Sequence, residues 1–151
     1  MDLKRVTPSE AKKLVDEDDY LLLDVRAIPE YEDNRAHGAY NVPFLHKTPQ
    51  GMVPNPDFEK VVAALAPDKT KGMVTHCAMG GRSLRAAQAL KALGYENVVD
   101  MRGGFSSEKS DAGEVLAEGW LDSGLPTESG PGSPRGYSAV VGATGTDAEV
   151  P

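Results

Sequence analysis

The sequence predicts an α/β fold in which helices cover both faces of a central, mainly parallel sheet. Short apolar strand candidates alternate with amphipathic helix candidates along the chain, and proline or glycine residues end several of them. Short apolar runs are typical of strands buried on both faces, and alternation of strands with helices favours parallel neighbours. In such sheets the functional site lies beyond the carboxyl ends of the strands.

The first part of the chain predicts one helix and two strands. Thr7 and Glu10 have the spacing of a capping box, and Pro8 occupies the first helical position, where its missing N–H group costs nothing. The run "YLLLDV" at 20–25 predicts a buried strand, and "GAYNVP" at 38–43 predicts a shorter one. The apolar stripe of the helix consists of Ala11, Leu14 and Val15.

The next part predicts two more helices and two more strands. Asn55 is the expected cap of the first of these helices, and Pro56 its first residue. Segments 72–76 and 97–101 predict inner strands, and the helix between them is expected to end at Gly94. The apolar faces of the two helices are Phe58, Val61, Val62 and Leu65, and Ala86, Ala89, Leu90 and Leu93.

From residue 128 the sequence changes character and becomes rich in Gly, Pro, Ser and Thr. This composition predicts a flexible C-terminal tail at 128–151 behind a single domain at 1–127. The short stretch "YSAVVG" within it could pair as an edge strand, but the flexible interpretation is favoured.

Composition restricts the partners and the location. The formal net charge of −7 disfavours a nucleic-acid partner. No apolar run is long enough to span a membrane, and the first ten residues lack the pattern of a secretory signal. The single cysteine, Cys77, fits a reducing compartment, so we expect a cytoplasmic protein. His37 and His46 lack partners at metal-ligand spacing, and we expect no metal.

The stretch "HCAMGGRS" at 76–83 places the cysteine between a strand and a helix. Unpaired N–H groups at a helix N-terminus favour both a thiolate and a bound anion. Gly80 and Gly81 permit a tight turn with inward N–H groups, and Arg82 adds a permanent charge suited to oxyanions. We therefore expect Cys77 to be catalytic rather than simply a small buried residue.

The motif Cys77-x-x-Gly80-x-Arg82-Ser83 resembles the active-site loop of the rhodanese (sulfurtransferase) superfamily. The resemblance extends over roughly residues 6–126. "LLLDVRAIPEYEDNRAHGAYNVPF" resembles the Asp-Val-Arg and Gly-Ala-x-Asn-Val-Pro segments of the family, and "GYENVVDMRGGF" and "GLP" resemble its closing segments. "GMVPNPDF" and "GGRS" are especially similar to the single-domain thiosulfate sulfurtransferases of plants and bacteria.

The resemblance implies a rhodanese-like fold and a persulfide mechanism without a cofactor. Cys77 would take the outer sulfur from a donor such as thiosulfate or a persulfide, and cyanide or a thiol would then remove it. The acceptor must come from outside, since the chain has no second cysteine. The residues implied in binding the persulfide and the donor are Ala78, Met79, Gly80, Gly81 and Arg82.

Two alternatives stay open at this point. The first is a sulfur-carrier or protein-docking module with little turnover. The second is a phosphatase or an arsenate reductase on the same fold. Phosphatases typically place one more residue between the cysteine and the arginine than the four found here, so the shorter loop favours a single sulfur atom.

Supporting roles are expected for Ser83, Asp24 and Arg26. The last two match a family pair that organises neighbouring loops through a salt bridge or a backbone contact, with an Arg26 side chain that faces the pocket as the alternative. His76 is interpreted as a strand-end histidine with a local hydrogen bond. Arg85 is interpreted as a solvated helix residue, with a contribution of positive potential as the alternative.

The sequence departs from the family pattern in two places. Asn34 and Arg35 replace a Gly-His pair, and an insertion occupies about 107–119. Asp111 and Glu114 within the insertion have cap spacing and predict a short helix. This helix could form a lid or a docking surface, although a surface insertion without a function is the more common outcome.

Overall fold

The computed structural model describes residues 3–151, so the predicted domain start at residue 1 lies outside the described residues. Five strands form the main sheet: β1 (Arg5–Val6), β2 (Leu21–Asp24), β4 (Tyr40–Asn41), β7 (Met73–His76) and β8 (Val98–Met101). Their order is β1-β8-β7-β2-β4, and every neighbouring pair is parallel. The helices are α1 (Pro8–Glu17), α2 (Ile28–Asp33), α3 (Phe58–Leu65), α4 (Gly81–Ala92) and α5 (Tyr137–Thr144).

Within residues 3–151, three two-stranded pairs lie outside the main sheet, and all of them are antiparallel. They are β5 (Leu45–Thr48) with β6 (Gly51–Pro54), β9 (Glu108–Lys109) with β10 (Val115–Ala117), and β3 (Arg35–Ala36) with β11 (Thr127–Glu128). The pairing of β3 with β11 returns the C-terminal part of the chain to the edge of the domain.

Apolar side chains of the inner strands alternate between two cores, one on each face of the sheet. The first core contains Leu23, Met73 and Val98 and lies under α3, α4 and α5. The second contains Leu22, Val74 and Val99 and lies under α1 and Tyr31 of α2. Helices therefore cover both faces, which confirms the predicted fold class.

The start of α3 differs from the prediction. Its cap position is Asp57, and the first helical residue is Phe58. The Asn55 side chain accepts a hydrogen bond from the Asp57 N–H group at 2.9 Å, and its amide donates to the Pro43 carbonyl at 2.9 Å. Asn55 and Pro56 thus precede the helix in a turn. The oxygen and the amide nitrogen of the Asn55 side chain bond to residues on either side of this turn.

The C-terminal segment is folded where the sequence predicts a flexible tail. Its stretch "YSAVVG" forms most of α5 rather than an edge strand. Tyr137, Val140 and Val141 are buried in the first core, and the Asn41 N–H group donates to the Arg135 carbonyl. Apolar burial against α3 explains the difference, since composition alone does not reveal a binding face for the segment.

The insertion is a β-hairpin rather than the predicted capped helix. The Ser110 N–H group donates to the Glu114 carbonyl at 2.8 Å, and the Glu114 N–H group donates to Ser110 Oγ at 3.1 Å. Gly113 has a φ of 86°, which a right-handed helix does not allow. Both the closing bonds and this backbone conformation therefore favour a turn.

Within residues 3–151 no helix has the length and the apolar character needed to cross a membrane.

Candidate active site

Cys77 lies directly after β7, at the carboxyl end of the central strands, as the sequence predicts. Four residues later the chain enters α4 at Gly81. The side chain is almost fully buried, with 1% of the residue exposed, and it lines an open pocket of about 350 Å³. The other residues of the pocket are Ala78, Met79, Gly81, Arg82 and Arg85.

Two backbone N–H groups point at the sulfur of Cys77. Gly80 donates to Sγ at an N···S distance of 3.1 Å, and Ser83 donates at 3.4 Å. Gly80 has a φ of 120°, a conformation that L side chains rarely adopt, so glycine is needed to aim this group. The first N–H groups of α4 have no acceptor within the helix and also form the positive end of its dipole. This arrangement stabilises negative charge at Sγ.

A turn at residues 103–106 supports the other side of the loop. The Phe105 N–H group donates to the Cys77 carbonyl at 2.7 Å, and the Ser106 N–H group donates to the Ala78 carbonyl at 2.9 Å. A Cβ atom at Gly104 would lie only 2.5 Å from the Ala78 oxygen. The carbonyls of Cys77 and Ala78 are therefore bonded to the turn.

Arg82 does not point freely into the pocket. Its Nη1 and Nη2 atoms donate to the two carboxylate oxygens of Glu30, at 2.6 Å and 2.9 Å. Although burial opposes it, the hydrogen bonds from Arg82 and from the Ala27 N–H group hold the pKa of Glu30 below its usual value. The same hydrogen bonding raises the pKa of Arg82. The predicted donor-binding charge is thus paired with a carboxylate of α2.

Sequence reasoning missed Glu30. The only local signal is its helix-start spacing from Ala27, whose N–H group it accepts at 3.0 Å. Its partner is 52 positions away in the chain, so no local pattern identifies the pair.

Asp24 and Arg26 form the predicted salt bridge, with Nη2 of Arg26 2.8 Å from Oδ2 of Asp24. Arg26 also donates to the Asn34 carbonyl at 2.6 Å and lies over the Phe105 ring, 4.6 Å from its centroid. Burial opposes ionisation of Asp24, but the charges of His76 and Arg26 hold its pKa below the usual range. The pair fastens α2 and the 103–106 turn to the sheet next to the cysteine loop.

His76 differs from the prediction of a local hydrogen bond. Its side chain is fully buried, and neither ring nitrogen has a hydrogen-bond partner among the described residues. Burial lowers its pKa, with Asp24 opposing the shift. Its ring packs beneath the loop and is not among the residues that line the Cys77 pocket.

A second buried carboxyl, Asp100, lies behind the loop and was also missed. It accepts from Thr75 Oγ1 at 3.0 Å and from Arg5 Nε at 3.2 Å. Burial raises its pKa despite these contacts. The Ser83 hydroxyl donates to the Gly80 carbonyl at 3.4 Å, which places this predicted supporting residue between the loop and the polar cluster.

His37 and His46 contact residues of the C-terminal segment. Nδ1 of His37 lies 3.1 Å from Glu128, and His46 packs against Tyr137. Residues 3–151 contain no group of three or more side chains arranged to hold a metal ion. A larger cavity of about 480 Å³ lies between α2 and the C-terminal segment, but it contains none of the loop residues.

Sequence comparisons place these features among known proteins. The family described as "Rhodanese-like domain" matches residues 7–111. Thiosulfate sulfurtransferase 16, chloroplastic, from Arabidopsis thaliana is 34% identical over 106 residues, covering 70% of this chain and 78% of that protein. HIGH ARSENIC CONTENT 1, mitochondrial, from the same plant is 34% identical over 109 residues, covering 72% of this chain. The matched region spans only 57% of the length of the latter protein.

Structural comparisons agree on the fold. Rv0390 from M. tuberculosis matches with a TM-score of 0.68 and 24% identity, covering 86% of this chain and all of that one. Thiosulfate sulfurtransferase from Pseudomonas aeruginosa matches with a TM-score of 0.62 and 22% identity, covering 94% of this chain and 23% of that one. At these identities the likeness establishes the fold alone.

Proposed function

This chain belongs to the rhodanese-like domain family, and we propose that it transfers a sulfane sulfur through a persulfide on Cys77. The observation that carries the proposal is the pair of N–H groups, from Gly80 and Ser83, aimed at Cys77 Sγ. They stabilise the thiolate that the reaction needs as a nucleophile.

The proposed reaction has two halves. In the first, the Cys77 thiolate attacks the outer sulfur of thiosulfate. A new S–S bond forms at Cys77, the bond to the central sulfur breaks, and its electron pair leaves with sulfite. In the second, cyanide or a thiolate attacks the outer sulfur of the persulfide, and the electron pair of the broken S–S bond returns to Cys77.

The loop residues have distinct proposed roles in these steps. The backbone N–H groups at 78–82 hold the terminal sulfur of the persulfide, which is an anion like the thiolate before it. Arg82 acts through Glu30, because the ion pair keeps the start of α4 against α2. No cofactor takes part in the proposed cycle, and the acceptor comes from outside the chain.

Intact mass spectrometry tests the proposal. We expect the wild type to gain one sulfur atom after incubation with thiosulfate and to lose it after cyanide is added. Cys77→Ser is the control and should gain nothing. If neither thiosulfate nor another sulfane donor loads the wild type, the proposed catalysis is wrong and the protein-docking alternative takes its place.

One finding favours a second candidate, arsenate reduction. A relative at 34% identity is named HIGH ARSENIC CONTENT 1. For this reaction the Cys77 thiolate would bond to arsenic while one arsenate oxygen leaves as water. A first glutathione thiolate would then attack Sγ and form a mixed disulfide with Cys77, and the electron pair of the broken S–As bond would leave with arsenite. A second glutathione would release oxidised glutathione and restore the Cys77 thiolate. Formation of arsenite by the wild type but not by Cys77→Ser, with glutathione as reductant, would support it.

A cytoplasmic location remains a prediction. The names of the two plant relatives place those proteins in the mitochondrion and the chloroplast. Fractionation of cells that express the full-length protein from its own gene tests the location.

A further inference from the structure

The arginines around the Cys77 loop differ in whether a carboxylate neutralises them. Arg5, Arg26 and Arg82 each form an ion pair, with N···O distances between 2.6 and 3.2 Å. Their partners are Asp100, Asp24 and Glu30, respectively. Arg85 forms neither an ion pair nor a hydrogen bond with residues 3–151, so its charge is uncompensated there.

Arg85 is also placed where an uncompensated charge matters. It stands on α4 one turn after Gly81 and Arg82 and lines the same pocket as Cys77. Its guanidinium carbon lies 5.7 Å from the centroid of the Phe44 ring, which guides the exposed side chain without neutralising it.

The remainder of the pocket supplies no competing charge. Ala78 and Met79 are uncharged, and the Arg82 guanidinium is occupied by both oxygens of Glu30. The chain as a whole carries a formal charge of −7 and repels anions at long range. An anionic donor therefore needs a local source of attraction.

We propose that Arg85 is the residue that attracts and orients the anionic end of the sulfur donor. The inference rests on the proposed function and makes it more specific. The donor class is a sulfane sulfur bonded directly to an oxyanion, as in thiosulfate or an organic thiosulfonate. The oxyanion sits at Arg85 while the outer sulfur reaches Cys77, and Arg82 positions the loop instead of binding the donor.

Binding of sulfate, an inert dianion similar in shape to thiosulfate, tests the inference without turnover. NMR titrations at constant ionic strength would follow the backbone amides of the loop in the wild type, Arg85→Gln and Arg85→Lys. Lys91→Gln is the matched control, because it removes the same charge from the same helix about 9 Å further along.

We expect Arg85→Gln to weaken sulfate binding by about fivefold, and Arg85→Lys and Lys91→Gln to change it by less than about twofold. The difference between the wild type and Arg85→Gln should shrink as sodium chloride is added. Absence of loop shifts in the wild type, or equal weakening by Arg85→Gln and Lys91→Gln, would overturn the inference.

Persulfide loading separates this inference from the proposed function. If thiosulfate loads the wild type and Arg85→Gln with the same half-saturating concentration, the transferase function stands and the role of Arg85 is wrong. If sulfate binding depends on Arg85 but no donor loads Cys77, the anion site stands and the transferase function is wrong.

Discussion

At the scale of single residues, Glu30 connects two parts of the site that are distant in sequence. It belongs to α2, yet both of its oxygens accept from Arg82 at the start of α4. A bidentate pair of this kind is stronger than an ordinary surface ion pair because its geometry is fixed and it is partly shielded from water. Removing the carboxylate leaves Arg82 without its partner.

Glu30→Gln should therefore lower the free energy of unfolding at pH 7 by about 1 kcal/mol. Because the pKa of Glu30 is lowered in the folded state, its contribution is present above the unfolded value of about 4.3 and is lost as the pH falls below it. Urea unfolding between about pH 7 and pH 3 should show that the advantage of the wild type disappears on acidification.

Glu32→Gln is the control for this experiment. Glu32 lies on the same helix but is exposed and makes no ion pair with residues 3–151. Its removal should change stability by less than about 0.5 kcal/mol. Identical acid dependence in the wild type and in Glu30→Gln would show that the Arg82 pair does not stabilise the fold.

Residue chemistry was predictable wherever it depends on neighbours in the chain. Cys77, Gly80 and Ser83 follow one another closely, so their contact could be expected from a strand, a turn and a helix. Glu30 and Asp100 could not be expected, because their partners are 52 and 95 positions away in the chain.

At the scale of elements, a local sequence signal predicted the element correctly where no other hydrogen-bond pattern competes with it. In α1 the Thr7 N–H group donates to Glu10 at 2.9 Å, and the Glu10 N–H group donates to Thr7 at 3.2 Å, as the capping box predicts. In the insertion the same spacing of Asp111 and Glu114 predicts a helix, but Gly113 with a φ of 86° ends any helical turn. Cap spacing alone does not decide between a helix start and a hairpin turn.

The turn that carries Gly104 is the element that holds the cysteine loop from behind. Gly104→Ala would place a Cβ atom 2.6 Å from the Cys77 oxygen and 2.5 Å from the Ala78 oxygen. We expect it to lower the free energy of unfolding by about 3 kcal/mol and to slow persulfide loading, since the loop must shift. Urea unfolding and the rate of sulfur gain by intact mass measure the two effects.

Gly113→Ala is the control that separates the effect of the steric clash from the effect of the backbone conformation. Gly113 also has a positive φ, but a Cβ atom there meets nothing within 4 Å. Gly113→Ala should lower the free energy of unfolding by about 1 kcal/mol and leave the rate of persulfide loading unchanged. An equal effect of the two substitutions on loading would contradict the supporting role of the 103–106 turn.

At the scale of the whole molecule, the C-terminal segment completes the fold. Residues 127–128 pair with β3, and α5 buries Tyr137, Val140 and Val141 against the first core. The core beneath α3 is therefore closed by residues that lie beyond the region resembling the family.

Val140→Asp tests this contribution. Val140 is 2% exposed, so a carboxylate there would be buried without a partner, and we expect a loss of more than about 3 kcal/mol in the free energy of unfolding. Ser138→Asp, on the exposed side of the same helix, should change stability by less than about 0.5 kcal/mol. A flexible tail would instead make both substitutions neutral in urea unfolding.

The sequence by itself determined the fold class and the position of Cys77 between a strand and a helix, because both follow from periodicity and from residues adjacent in the chain. Tertiary structure decided which charges are free. It paired Arg82 with Glu30, left Arg85 without an ionic partner among residues 3–151, and buried three apolar residues of a segment whose composition suggests disorder. The physical reason is that ion pairing and apolar burial depend on distances between residues far apart in sequence, which only the packed fold defines.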